Sequence, residues 1–238
     1  MISFIVPAYN EERCLAATLD ALHAAGRALG ETYELVVVDD ASTDQTAAIA
    51  QEKGAIVVSV ANRQIAATRN SGAQEATGEL LIFVDADTIV NEAVVRFAIQ
   101  AMRAGAVGGG AAVRFDEPVP PYARILLRVI VWLFRKIGWA AGCFLFCTRS
   151  AFSAAGGFDE RFYGAEEIAM SRALKRQGNF VIMTHAVITS ARKLRTYSAR
   201  EILILMARMA LRGPKAVMQR PGMDFWYARR RDDPRNDA

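Results

Sequence analysis

Four short apolar runs, Ile2 to Val6, Tyr33 to Val38, Ala55 to Val60 and Leu80 to Val84, punctuate the first third of the chain, with amphipathic segments between them. Each run is too short for a helix and rich in Val and Ile, so each reads as a buried strand. Strands alternating with helical segments build βαβ units, and therefore a mostly parallel, Rossmann-like sheet flanked by helices. The punctuation agrees. Asn10 is placed to cap a first helix, with Glu11 and Glu12 in its first turn, that runs to about Leu29 and stops at Gly30. Ser42 or Thr43 is placed to cap a second that stops before Gly54, and Gln64 to Ala76 forms a third that ends at Gly78.

After Asp87 the pattern loosens. A helix over Asn91 to Ala104 precedes a Gly-rich strand near Ala106 to Arg114 and a break at Pro118 to Pro121. Helical periodicity then covers Pro121 to Ile137, a strand Cys143 to Thr148, and helices Glu166 to Gln177 and Ser198 to Arg212. The expectation is an α/β fold with a mixed second half and a C-terminal amphipathic helix. The 238 residues suit one large domain with an appendage. We divide them into a unit over 1–190, with halves 1–113 and 114–190, and a basic helical extension over 191–238.

Composition narrows the class. With 53% hydrophobic and 23% charged residues the chain is a packed globular protein. No secretory signal opens it, and the apolar stretch from Arg124 to Cys147 is interrupted by Arg128, Arg135 and Lys136, so no transmembrane span is expected. Cys14, Cys143 and Cys147 lack a CxxC spacing and imply neither a disulfide framework nor a zinc site, which favours a reducing, cytoplasmic setting. Net charge is +4, and from Arg192 onward roughly a dozen Lys or Arg face about five acids. A solvated surface, an anionic membrane or a phosphate-bearing ligand all accommodate that excess; nucleic acid lacks a recognition motif here. Tyr122 to Ile137 and Ser198 to Arg212 are amphipathic. They suit either core packing or peripheral attachment to the cytoplasmic membrane face, with Phe225, Trp226 and Tyr227 beside Arg229 to Arg231 as interfacial anchors.

In an open parallel sheet, ligands bind outside the carboxyl ends of the strands. The segments there are polar: Pro7-Ala8-Tyr9-Asn10-Glu11-Glu12 after the first strand, Asp39-Asp40-Ala41-Ser42-Thr43-Asp44 after the second, Asp85-Ala86-Asp87 after the fourth. Paired carboxylates suit Mg2+ or Mn2+ bridging a diphosphate, although two loop acids alone also serve as helix caps. No GxGxxG follows a strand, and Gly108 to Gly110 lacks the Lys and Ser/Thr of a phosphate loop, which argues against a dinucleotide-binding dehydrogenase. The segment after the first strand also lacks the basic Gly-rich loop of a nucleotidyltransferase.

Taken together, PAYNEE, VVVDDASTD and the RNSG to GELLIFVDADT stretch resemble family 2 glycosyltransferases, which have the GT-A fold. The resemblance covers about residues 1–190. It implies that Pro7, Ala8 and Tyr9 line a base and ribose pocket, that Glu11 approaches the ribose, and that Asp39 accepts a hydrogen bond from the base. A carboxylate accepts equally from uracil or guanine, and UDP is favoured by analogy alone. Arg69 is implied to meet the diphosphate. Asp85, with Ala86 beside it, is assigned to the nucleotide sugar, and Asp87, with Asp85 as second candidate, to Mn2+ or Mg2+.

On the acceptor side, Gly156 to Glu160 and Gly164-Ala165-Glu166-Glu167 are similar to the family's GGFDE and ED segments. Glu167, or else Glu166, is then the base that takes a proton from an acceptor hydroxyl in an inverting, metal-dependent transfer. The family more often has Asp at the Glu167 position. His185 is either a structural histidine or a further metal ligand, and Arg192, in a TSAR-like segment, meets either the diphosphate or an anionic acceptor. The Gln-x-x-Arg-Trp signature of processive synthases is absent, which favours transfer of a single sugar, and the peripheral membrane attachment would suit a lipid-linked acceptor. The competing readings are a non-catalytic, membrane-associated nucleotide-binding protein and a nucleotidyltransferase.

Overall fold

In a computed structural model, which describes residues 1–116, 132–134, 136–198, 200–202, 204, 207, 217–218, 220–221, 223 and 227, the four apolar runs become neighbours. The strands are β1 (Ile2–Ala8), β2 (Tyr33–Asp40), β3 (Ile56–Val60), β4 (Leu80–Val84), β5 (Thr88–Ile89), β6 (Gly108–Phe115), β7 (Phe144–Thr148) and β8 (Phe180–Thr189). They form one sheet in the order β3-β2-β1-β4-β7-β6-β8-β5. The first four lie parallel, β7 runs antiparallel to both β4 and β6, and β8 is parallel to β6. The direction of winding reverses between β1 and β4, so the segments that leave these two strands flank a crevice.

Every residue of β1 is buried, because helices cover both faces of the sheet and leave no solvated side. Successive side chains alternate between two cores. Phe4 and Val6 pack with Leu15, Leu19 and Leu22 of α1 (Leu15–Leu29) and with Val94, Val95 and Ala98 of α4 (Glu92–Arg103). Ile5 faces the other way, toward Ala66 and Ala73 of α3 (Ile65–Glu75), Ala151 of α5 (Arg149–Ala155), and Met170 and Leu174 of α6 (Glu166–Lys175). The remaining helices are α2 (Thr46–Glu52) and α7 (Arg192–Thr196). Gly72 lets α3 approach the sheet: a Cβ there would lie 2.5 Å from Ile5 Cγ2 and 2.7 Å from Val38 Cγ2.

Two helix starts differ from expectation for one reason. Asn10 does not cap α1, which begins five residues on at Leu15. Asn10 instead adopts φ 51°, donates its N–H to Ser42 Oγ at 2.9 Å and accepts from the Thr43 N–H at 2.8 Å. Glu11 N–H donates to Thr46 Oγ1 at 2.8 Å, and Gln45 N–H to Glu12 Oε2 at 3.1 Å. The polar residues read as caps are thus bonded between the two loops, and α2 starts only at Thr46, whose N–H meets Asp44 Oδ1 at 3.0 Å. β8 begins at Phe180, so His185 lies inside it.

The Pro118 to Pro121 break, most of 122–137 and 198–212, and Phe225, Trp226 and Arg229 to Arg231 lie outside the described residues. Among the described residues no helix is long and apolar enough to cross a membrane.

Candidate active site

The loops after β1 and β4 and the end of β2 open onto one crevice of about 430 Å3, lined by Pro7, Ala8, Tyr9 and Glu11, by Asp40, and by Asp85, Ala86 and Asp87. Its size suits a small-molecule ligand. The Asp85 to Asp87 turn is held from three directions: Thr18 Oγ1 of α1 donates to Ala86 O at 2.9 Å, Asp85 N–H to Cys143 O at 3.2 Å, and Ser190 N–H to Asp87 O at 3.2 Å.

Arg69 of α3 is the largest wholly buried side chain in this region, at 1% exposure. Its Nη1 donates to Glu166 Oε1 at 2.6 Å, and its Nη2 to Asp85 Oδ1 at 2.8 Å and to Gly142 O at 2.9 Å. Burial opposes the charge, yet Asp85, Glu166 and Glu167 outweigh it and hold the guanidinium more firmly protonated than a free arginine. Burial pushes the Asp85 carboxyl up, against the pull of Arg69 and with the push of Asp87. Of the Arg69 donors only Nε finds no partner among the described residues.

The two acids at the start of α6 separate in role. Glu166 is 4% exposed and committed to Arg69. Glu167, one residue on, lines the crevice. Burial, then the adjacent Glu166 charge, pushes its carboxyl up to about 8, opposed by Arg69. Once deprotonated, a carboxylate so poised is a stronger base than an ordinary glutamate.

Other expected residues divide. Arg192 reaches the site from α7, its Nη2 3.1 Å from Glu11 Oε2 and 3.6 Å from Asp87 Oδ2. These carboxylates raise its pKa against the cost of burial. Asp39 is 7% exposed and accepts the Ser42 N–H at 3.3 Å; the β2 acid on the crevice wall is its neighbour Asp40. His185 is not brought there. It is exposed, where the register between β6 and β8 shifts, with its ring 5.8 Å from that of Phe97.

Sequence reasoning missed several crevice residues. Arg63 lies over the Tyr9 ring at 3.8 Å, and its N–H, at φ 51°, donates to Asp40 Oδ1 at 2.8 Å. Lys193, Leu194, Phe115 and Tyr227 also line the crevice. No spacing announces them, although Lys193 adjoins Arg192 and a basic residue there was a usable signal. Tyr227, read as a membrane anchor, turns inward.

Among the described residues no cluster of three or more His, Cys, Asp or Glu forms a metal cage. Asp85 and Asp87 nevertheless supply hard oxygen donors on one wall. That suits Mg2+ or Mn2+, which commonly take one or two carboxylates and complete their shell with phosphate and water.

The family model for "Glycosyl transferase family 2" matches residues 3–156, well over half of the chain. The chain belongs to this family. As a glycosyltransferase it is 39% identical, over 94 residues, to the undecaprenyl-phosphate 4-deoxy-4-formamido-L-arabinose transferase of Pseudomonas paraeruginosa, a match spanning 37% of this chain and 28% of that one. It is 36% identical over 93 residues to the enzyme of the same name from Serratia proteamaculans, again 28% of that relative's length. The matches thus span little more than a quarter of these relatives. Solved structures share the GT-A fold. A mannosyltransferase of Pyrobaculum calidifontis in complex with GDP-Man and Mn2+ superposes with TM-score 0.64 and 18% identity over 88% of this glycosyltransferase and 61% of that chain. S. aureus TarS 1-349 in complex with UDP-GlcNAc gives 0.63 and 20%, over 87% and 66%.

Proposed function

We propose that this glycosyltransferase moves a single sugar, with inversion, from a UDP-sugar to a hydroxyl of a lipid-linked acceptor, assisted by a divalent cation. The observation that carries the reading is that Glu167 lines the same crevice as Tyr9, Asp85 and Asp87. Donor and base then face one another across the space where the reaction occurs.

In this reading Tyr9 offers its ring to the nucleobase, Pro7 and Ala8 shape the pocket, Glu11 meets the ribose, and the β2 acids Asp39 and Asp40 receive base N–H groups. Asp87 and Asp85 would hold Mn2+ or Mg2+, which when bound neutralises charge on the leaving diphosphate. Arg69 locks Asp85 in place, and Arg192 turns from Asp87 toward the diphosphate. Glu167 accepts the proton of the acceptor hydroxyl as that oxygen attacks the anomeric carbon. One displacement inverts the centre, and the electron pair of the broken C–O bond leaves with UDP.

Residues 1–113 serve as the donor half and 114–190 as the acceptor half. The basic 191–238 extension, which also lends Arg192, Lys193, Leu194 and Tyr227 to the site, attaches peripherally to the cytoplasmic face of an anionic membrane. Support for a lipid-borne acceptor comes from the names of the undecaprenyl-phosphate relatives, and for UDP and a metal from the complexes of the structural neighbours.

The test is incubation of the purified protein with Mn2+ and individual UDP-sugars. Slow UDP release, lost in both Asp87→Ala and Glu167→Gln, is the expected result. Binding of UDP without turnover of any donor, or equal release by the variants, sinks the mechanism.

A further inference from the structure

Tyr227 lies far beyond residues 3–156, over which the family model matches, yet it lines the crevice that Ile65 and Glu167 also line. Its approach is built. Val217 and Met223 are 3% and 0% exposed, and Tyr163 N–H donates to Val217 O at 2.7 Å, which anchors this stretch to the segment that leads into α6. Tyr227 N–H donates to Met223 O at 3.1 Å. The ring meets Tyr163 edge-on at 6.0 Å, with the Arg220 guanidinium 5.7 Å from its centroid.

The hydroxyl is also engaged. Ile65 is the first residue of α3, so its N–H has no intrahelical acceptor, and the Gln64 side chain provides no cap. Tyr227 Oη accepts that N–H at a long 3.4 Å. Burial pushes the phenol up to about 12, so it stays neutral. The ring itself is an apolar face on the wall of the crevice that Glu167 also lines.

We propose that Tyr227 is a specificity-determining residue on the acceptor side, its ring forming the wall against which the apolar face of a sugar-ring acceptor packs and keeping water from Glu167. Aromatic rings supply rigid contact area of this kind, and closing a site against solvent suppresses hydrolysis of its activated substrate. The inference rests on the transferase reading above.

It is tested with water as the acceptor. Water oxygen attacks the anomeric carbon, its proton passes to Glu167, and the C–O bond to the diphosphate breaks with its electron pair leaving on UDP. Hydrolysis of UDP-glucose and UDP-N-acetylglucosamine is measured with Mn2+, alongside UDP binding by calorimetry, for wild type, Tyr227→Phe and Tyr227→Ala, with Tyr227→Leu replacing the alanine variant if that one does not fold. Loss of the ring is expected to raise hydrolysis about fivefold or more and to leave UDP affinity within about twofold, while Tyr227→Phe matches wild type. Unchanged or slower hydrolysis with UDP binding intact overturns the acceptor role, as does parallel loss of UDP affinity. A wild-type protein that does not bind UDP overturns the donor reading itself, a separate outcome.

Discussion

Arg69 Nη2 lies 2.8 Å from Asp85 Oδ1, and the arginine is almost wholly buried. With Nη1 on Glu166 at 2.6 Å, one guanidinium joins the DxD turn to the start of α6. Removing one partner of such a buried pair strands the others without compensation. Arg69→Ala is therefore expected to lose about 3–5 kcal/mol of stability in urea denaturation. Arg69→Lys, which keeps charge but loses the fork, should also be clearly destabilised. A loss under about 1 kcal/mol in Arg69→Ala would show that solvent reaches these carboxylates more freely than their burial indicates.

Adjacent acids should fail differently. Glu167→Gln is expected to lower kcat about 10²–10⁴-fold while retaining UDP affinity and stability, as for loss of a general base. Glu166→Gln should chiefly lower the unfolding midpoint, because it uncouples Arg69. Reversed phenotypes would exchange the two roles.

The pH profile follows from Glu167. Its folded-state carboxyl titrates near 8, pushed up by burial and by Glu166, and only the deprotonated form accepts a proton. The logarithm of kcat/KM should rise with unit slope below about pH 8 and level off above it. The stability sign is opposite: the folded state holds this proton where the unfolded Glu has lost it, so this group's contribution is full below about pH 4.5 and is lost as pH rises toward 8. In Glu167→Gln the residual rate should lose the rising limb; a limb that persists assigns it to another group.

Cation binding is measurable without turnover. Mn2+ with UDP at a hundredfold excess over the dissociation constant should stabilise the protein by about 2.7 kcal/mol, read as a higher melting temperature. Asp87→Ala should abolish the Mn2+-dependent part. An unaltered Mn2+ response in that variant removes Asp87 from the cation site.

Gly72 sets the seat of α3. A Cβ there would sit within 2.7 Å of methyl groups on both Ile5 and Val38, so Gly72→Ala is expected to cost about 1–3 kcal/mol by overpacking. Because α3 carries Arg69, the variant should also weaken UDP binding. A variant as stable as wild type would mean that the helix shifts freely.

What was readable before folding was local. The four apolar runs became β1 to β4 because a strand buried on both faces must be apolar throughout, and the loops after them carry the acids because ligands meet a parallel sheet at its carboxyl edge. Pro7, Ala8, Tyr9, Glu11, Asp85 and Asp87 could thus be placed on one crevice from order alone, and the structure brings them there. Helix starts were less legible. Asn10, Ser42 and Thr43 have the chemistry of caps, but a hydroxyl or amide satisfied across two loops is no longer available to a helix end.

Tertiary structure alone decided the rest, since contacts between residues distant in sequence leave no periodic trace. Arg69 meets Glu166 across 97 residues and Arg192 meets Glu11 across 181. Those pairings determine that Glu166 is tied down and Glu167 faces the crevice, a distinction two adjacent glutamates cannot reveal by themselves. Arg63 over Tyr9 and Tyr227 on the crevice that Glu167 lines are of the same kind. Hydrophobic period and loop polarity are properties of a segment, whereas the burial that tunes a carboxylate arises only when separate segments pack around it.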